Sequence, residues 1–461
     1  MKKDIFREYD IRGIVDKDFD LSDVERLGRG FGTYLSKHGG KTAVVARDCR
    51  LSSAGIRDAF MKGVVAAGIH VTDVGVCPTP LLYFAIRHLE TDGGLMITAS
   101  HNPPEYNGFK VCLGQDTIFG EEIQRFREVI ESGQFTRGDG SYKEYEIIPR
   151  YCEHLLSRLK LERPVRLAVD AGNGTGGLAA VPLLERLGCD MVTLFIEPDG
   201  NFPNHDPDPT VPENMTLLSE TVVKEKLELG IAFDGDADRL GVVDEEGHIV
   251  WGDMLMVIFA RDILKNNPGA TFIGDVKCSQ VMYDDIRAQG GNPIMWKTGH
   301  SLIKWKLKEE KALLAGEMSG HLFFADRYFG YDDAIYGACR LLELISRQQR
   351  PLSRYLMDLP KVYNTPEIRV KCPESQKFKL VERVKEILKK DSEIVDIDGV
   401  RIAFPDGWGL VRASNTSPVL VLRFEAQSES RLRDIQKFIE GAIVKAKAEL
   451  AEGRIEAGAG D

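Results

Sequence analysis

The chain of 461 residues has no long hydrophobic run, few cysteines and no excess of basic charge. No stretch reaches the roughly 18 consecutive apolar residues that a membrane span requires. The N-terminal MKKDIFREYDIRG also lacks the apolar core of a secretory leader. The eight cysteines, at 49, 77, 112, 152, 189, 278, 339 and 372, are scattered without a C-x-x-C pair. That excludes a disulfide frame or a Cys-ligated zinc and fits reduced, mostly buried thiols. A formal net charge of −11 argues against a general nucleic-acid binder, whose footprint is a basic face. Local basic clusters for a small anion stay open. The expectation is a cytoplasmic protein with neither nucleic acid nor membrane as partner.

What is present is the composition of a soluble globular protein, 43% hydrophobic and 28% charged. The length exceeds one ordinary core, so several domains are expected. Thr42–Asp48, Val71–Val76 and Gly94–Thr98 read as buried strands. A helix capped by Ser52 or Ser53 runs to Ala67 and stops at Gly68, and another spans Leu81–Leu89. The same opening recurs at Val165–Asp170, with a helix through Leu187, and at Thr271–Asp275, with a helix through Ala288. Each is an apolar strand ending at an aspartate, then a small-residue turn, then a helix. The rhythm predicts three related α/β domains with mixed sheets, over 1–147, 148–250 and 251–361. From about Tyr363 the texture changes. Ile368–Val370, Ile394–Ile397, Val400–Phe404 and Val419–Phe424 read as antiparallel strands, with helices over Gln376–Lys390 and Ser430–Leu450. This predicts a fourth, α+β domain over 362–461, with a frayed tail after Glu452.

Four segments carry candidate chemistry. Thr98-Ala99-Ser100-His101-Asn102-Pro103 ends an apolar strand, where ligands bind in open α/β sheets. Alone it is equally a turn bonding its own backbone. Asp234-Gly-Asp236-Ala-Asp238-Arg239 offers three carboxylates that can converge on a hard cation. It is no EF-hand, having no glutamate at the twelfth position and no preceding helix. A solvated turn is open, and so is an aspartate-nucleophile phosphatase, although that usually needs Thr or Val where Ala237 stands. Gly316-Glu317-Met318-Ser319-Gly320-His321 brackets a carboxylate and a hydroxyl that can bond neighbouring sugar hydroxyls, or is a turn. Arg412-Ala-Ser414-Asn415-Thr416-Ser417-Pro418 has the inventory of a phosphate cradle, or of a hydroxyl-rich hairpin loop.

Taken in order, and with Phe6–Gly13, these motifs resemble the α-D-phosphohexomutase superfamily, most closely its bacterial phosphomannomutase/phosphoglucomutase branch. The resemblance covers the whole chain. It implies a cleft between all four domains, in which Ser100 carries a transferable phosphoryl group. Mg²⁺ would be held by Asp234, Asp236, Asp238 and an oxygen on Ser100, with Arg239 and His101 close by. Lys110 and His321 match the candidate proton donors and acceptors, and Lys110 would need a lowered pKa to act as a base. Glu317 and Ser319 would bind sugar hydroxyls. Tyr9, Arg12, Lys277 and His300 match other substrate contacts, and Arg412, Ser414, Asn415 and Thr416 would hold the unreacting phosphate. The implied reaction interconverts hexose 1-phosphate and hexose 6-phosphate through a hexose 1,6-bisphosphate, in a monomer or weak homodimer. Met318 agrees with the mannose/glucose branch, because the glucosamine branch carries glutamine there. A phosphoglucosamine mutase and a non-catalytic sugar-phosphate binder are the alternative readings.

Overall fold

The computed structural model describes residues 1–389, 393–415 and 417–451. Thr416, Lys390 and the tail after Glu452 lie outside the described residues. The strands form four sheets. In the first, the run Thr42–Arg47 lies parallel to His70–Val76 on one side and to Gly93–Ile97 on the other. Ser141–Glu144 extends the parallel set, and the antiparallel strands Tyr106–Leu113 and Ile11–Ile14 complete the opposite edge. Ala43 to Ala46 are wholly buried, so this strand is apolar on both faces and reads as a continuous run. Helix Ser53–Ala66 follows and terminates ahead of Gly68, which has φ +91°.

The start of that helix departs from expectation. Ser52 occupies the cap position but makes no capping bond. Ser53 Oγ instead donates to Asp48 (2.5 Å), and Asn107 Nδ2 donates to both hydroxyls (2.9 Å each). The hydroxyl pair ties the helix to the strand that follows the Ser100 loop.

The second sheet sets Arg166–Asp170 between the parallel strands Leu229–Phe233 and Asp190–Leu194, with Leu240–Asp244 antiparallel beyond. In the third, Thr271–Asp275 lies between the parallel strands Asn292–Trp296 and Leu314–Gly316, and Leu322–Phe324 closes a hairpin. The fourth is wholly antiparallel. Val419–Ala426 and Gly407–Ala413 are central, Val400–Phe404 and Glu393–Val395 lie on one side, and Tyr363–Asn364 and Ile368–Lys371 lie on the other.

Alternation along those last strands decides what each face does. Val411, Ala413, Leu420, Leu422 and Phe424 pack against the helices Lys377–Leu388 and Glu429–Ala451. Arg412, Val421 and Arg423 point the other way and line a cavity shared with the other domains. The fourth domain has this core to itself. By contrast, one continuous apolar interior runs from Val44 and Leu81 through Tyr151, Leu183 and Phe233 to Leu255, Phe324 and Tyr336, crossing the first three domains.

Candidate active site

Loops from all four sheets meet around a cavity of roughly 860 Å³. Its walls bear Tyr9, Arg12, Ser100, His101 and Lys110 from the first domain and Asp238 and Arg239 from the second. Lys277, His300, Glu317, Ser319 and His321 come from the third, and Arg412 and Ser414 from the fourth. Asp234 and Asp236 lie fully buried beneath this wall. Asn415 continues the loop from Ser414 and is half-buried. A second cavity of 920 Å³ between the third and fourth domains, around Arg401 and Trp408, contains none of these groups.

Ser100 is buried and has φ +51°, a conformation uncommon outside glycine and typical of functional turns. Its Oγ donates to Asp234 Oδ2 (2.6 Å) and lies 3.0 Å from His101 Nδ1. The strained turn is braced from below by Arg50, a fully buried residue that the sequence reading did not single out. Arg50 pairs with Asp48 (3.1 Å) and donates to the carbonyls of Ser100 (2.8 Å), Asn102, Pro103 (2.6 Å) and Tyr106 (3.1 Å). Arg12, itself paired with Asp10 (2.6 Å), holds the Asn102 side chain (2.8 Å).

The acidic turn follows strand Leu229–Phe233 and abuts the serine loop directly. A Cβ at Gly235 would lie 2.4 Å from the Ser100 carbonyl oxygen, so only glycine permits this approach. Asp234 Oδ1 accepts from the backbone N–H groups of Asp238 (3.0 Å) and Arg239 (3.1 Å). Asp236 Oδ2 accepts from Thr79 (2.6 Å) and Thr98 (3.2 Å), residues of the first domain. One ligand atom from each of Asp234, Asp236 and Asp238 lies within 4.8 Å of the others. All three side chains are wholly buried, and Asp236 Oδ1 and Asp238 Oδ1 have no hydrogen-bond partner. Orphaned carboxylate oxygens converging at this depth fit a divalent cation with oxygen ligands. Burial, then Asp238 and Asp236, push the Asp234 carboxyl well above the usual carboxylate range.

The proton-handling groups take distinct states. Burial works against charge on Lys110, yet Asp238 (2.8 Å), Asp236 and Asp332 outweigh it and hold the ammonium above its ordinary pKa. The lowered pKa expected for a basic lysine is therefore not found in this arrangement, because three carboxylates supplied by other domains surround it. His321 Nε2 accepts from Arg239 Nε (3.0 Å). That bond assigns the ring proton to Nδ1, which lies 3.5 Å from Asp332 Oδ2 and 3.6 Å from Asp238 Oδ1. Asp332 is fully buried, also takes Lys304 (2.9 Å), and was not singled out in the sequence. Burial and neighbouring cations hold His300 and His101 well below the usual histidine pKa. Those cations are Lys110 and Lys304 for His300, and Arg239, Arg12 and Arg369 for His101. Burial pushes Tyr9, which packs edge-on to His300, up to about 12.

The hairpin of Leu314–Gly316 and Leu322–Phe324 presents Glu317, whose Oε1 accepts from Gly299 N (2.6 Å), and Ser319, whose hydroxyl reaches Glu317 Oε2 (3.4 Å). Lys277, in the turn after Thr271–Asp275, pairs with Glu367 (3.3 Å). Arg412 lies inside a strand and not in a loop as read from the sequence, with its Nε on Asp398 (3.0 Å). Asp398 also accepts from Thr298 N (3.0 Å) in the third domain. Beneath the Ser414 turn, buried Lys377 donates to the carbonyls of Ser414 and Ser417, a brace that carried no local signal.

A serine hydroxyl on a buried carboxylate, an acidic cation cage and a wall of guanidinium and ammonium groups define a phosphoryl-transfer site. Comparison with known proteins narrows that class. Profiles described as phosphoglucomutase/phosphomannomutase, alpha/beta/alpha domains I, II and III, match residues 3–137, 149–247 and 251–363, and the C-terminal domain profile matches 367–442. A phosphomannomutase/phosphoglucomutase of Pseudomonas aeruginosa is 47% identical over 437 residues, 94% of each chain. A phosphoglucomutase of Neisseria gonorrhoeae is 45% identical, over 96% of this chain and 97% of that one. The crystal structure of a phosphoglucomutase/phosphomannomutase family protein from Burkholderia thailandensis superimposes with a TM-score of 0.91 at 44% identity, covering 97% of this chain and 98% of the other. The chain belongs to the phosphoglucomutase/phosphomannomutase family and is a phosphohexomutase. No helix among the described residues is long and apolar enough to cross a membrane.

Proposed function

We propose that the chain interconverts the 1- and 6-phosphates of mannose and glucose through a phosphoserine at Ser100 and a hexose 1,6-bisphosphate. The observation that carries this reading is the 2.6 Å contact between Ser100 Oγ and Asp234 in the acidic turn, made across a domain boundary. Asp234, Asp236 and Asp238, with an oxygen on Ser100, are the groups that would hold Mg²⁺. When bound, the ion neutralises charge on the serine oxygen, which otherwise leaves poorly as an alkoxide.

The chain's own residues supply the rest. His321 Nε2 takes the proton from the sugar hydroxyl being phosphorylated once that hydroxyl replaces Arg239 Nε on its lone pair, and the nearby Asp332 and Asp238 carboxylates stabilise the imidazolium that forms. Lys110, kept protonated, serves as the proton donor and places positive charge beside the moving phosphoryl group. Arg239 orients His321 and adds charge, and His101 stays neutral beside Ser100. Glu317 and Ser319 grip two sugar hydroxyls. Tyr9, Arg12, Lys277 and His300 line the remaining wall, while Arg412, Ser414, Asn415 and Thr416 hold the phosphate that is not reacting. The bisphosphate then turns in the cleft and returns its other phosphate to Ser100. A fourth domain closing over that phosphate retains it meanwhile. Contacts at two hydroxyls away from C2 separate glucose from mannose weakly, so dual specificity is expected. We place this enzyme in the cytoplasm as a monomer or weak homodimer, with sugar phosphates as its partners.

Peptide mass spectrometry before and after glucose 1,6-bisphosphate tests the reading. One phosphate on Ser100, lost on adding an acceptor hexose phosphate, is expected. No phosphate there in the presence of Mg²⁺ would leave a sugar-phosphate binder. Excess EDTA is expected to stop turnover of mannose 1-phosphate, and Mg²⁺ to restore it. Unaltered turnover in EDTA would remove the acidic turn from the mechanism.

A further inference from the structure

The fourth sheet places a second arginine in the same row as Arg412. Val421, in the central strand, is paired with Arg412 on one side and Arg369 on the other. Directly opposed residues of an antiparallel sheet share a face, so Arg369, Val421 and Arg412 point into the cleft together. All three line the cavity. Neighbouring strands are about 4.8 Å apart, so the two arginines set out about 10 Å from one another. The alternate residues Ile368 and Val370 pack into the domain's own core, which fixes the register.

Arg369 is unlike a solvated surface arginine in how it is held. Its Nε donates to Glu367 Oε1 (3.0 Å), and Glu367 Oε2 meets Lys277 of the third domain (3.3 Å). The guanidinium is thereby oriented on one edge, while the side chain stays 55% exposed within the cavity wall. Arg412, with its loop, stands at the other end of the row.

We propose that Arg369 is a substrate-binding residue that grips, through its two Nη groups, the phosphate of the hexose bisphosphate opposite the one held by Arg412. Two guanidinium forks on one rigid sheet then hold the intermediate at both ends, whichever way round it lies, as long as the fourth domain stays closed. The role rests on the phosphoserine reading above. A bidentate charge-assisted contact is worth about tenfold or more in affinity.

The test compares wild type with Arg369→Gln and Arg369→Lys. Calorimetry with glucose 1,6-bisphosphate gives Kd, and ³²P-labelled phosphoenzyme gives the fraction of turnovers that release bisphosphate. In Arg369→Gln both are expected to rise about tenfold, with the thermal midpoint unchanged. Arg369→Lys, which keeps the charge without the fork, is expected to recover part of the loss. Unchanged Kd and release in Arg369→Gln, with Ser100 of the wild type phosphorylated, overturn the role of Arg369 alone. Losses in both variants that track a lowered midpoint mark a structural residue and also overturn it. Absence of phosphate on wild-type Ser100 overturns the phosphoserine reading, and this proposal with it.

Discussion

Ser100 concentrates the argument in a single hydroxyl. Ser100→Ala is expected to lower mutase turnover by about 10³-fold or more while Kd for hexose phosphate stays within about threefold. Steady-state kinetics with calorimetry checks both halves, and near-normal turnover would exclude Ser100 as the phosphate carrier. The serine loop, the acidic turn and the sugar and phosphate loops were legible as short polar breaks between apolar runs, whereas Lys110, inside the strand Tyr106–Leu113, was marked by the family resemblance. Their states were not legible. Lys110 is held protonated by Asp238, 128 positions away in the chain. No local pattern announces such a partner. The same holds for the braces Arg50, Lys377 and Asp332, which touch catalytic loops only because the tertiary fold brings them there.

At the scale of elements, the contact between the serine loop and the acidic turn is set by Gly235. Gly235→Ala drives a methyl group against the Ser100 carbonyl. The expected cost is about 1–3 kcal/mol of stability, with turnover reduced at least ~10-fold as the hydroxyl leaves Asp234. Denaturant titration alongside kinetics measures both, and wild-type values in both would show that the loops have slack. Elements themselves were read unevenly. Thr271–Asp275 and Val400–Phe404 emerge with the limits that their apolar, β-branched runs suggest. The strand Gly407–Ala413 went unread, because Gly-Trp-Gly and an embedded arginine break the pattern. It forms only through pairing with two neighbours. The arginine that disguised the strand lines the cleft, where it is the group proposed to hold phosphate.

For the whole molecule, a pH-sensitive joint lies where three domains meet. His154, from the helix that opens the second domain, packs its ring against Phe84 of the first and Phe329 of the third (centroids 5.1 and 5.3 Å). Its Nε2 is buried without a partner, and Nδ1 faces Arg158 Nη1 (3.3 Å). Burial, then Arg158 and His88, depress its pKa to about 4, below the unfolded value near 6.5. Between those values the unfolded chain binds more protons than the folded one. Stability therefore rises with pH from about 4 to 6.5 and is lost as pH falls through that window. Denaturant midpoints at pH 4.5 and 7.5 should differ in the wild type, and His154→Phe should narrow the difference. An equal difference in the variant would assign the dependence to other groups.

The apolar interior shared by three domains also bears on inheritance. A chain whose first three units are welded through one core cannot exchange any of them singly, since a transplanted unit would have to match side chains on both flanks. The fourth unit meets its neighbours through polar contacts, many of them to backbone groups, such as those from Arg401 to the carbonyls of Val276 and Cys278 (2.7 and 2.8 Å) and from Thr298 N to Asp398 (3.0 Å), and through a small patch of Trp408 and Leu410 on Val276. Backbone carbonyls are present in every sequence. Recombination among relatives is thus expected to be tolerated at the last boundary and rejected at the first two.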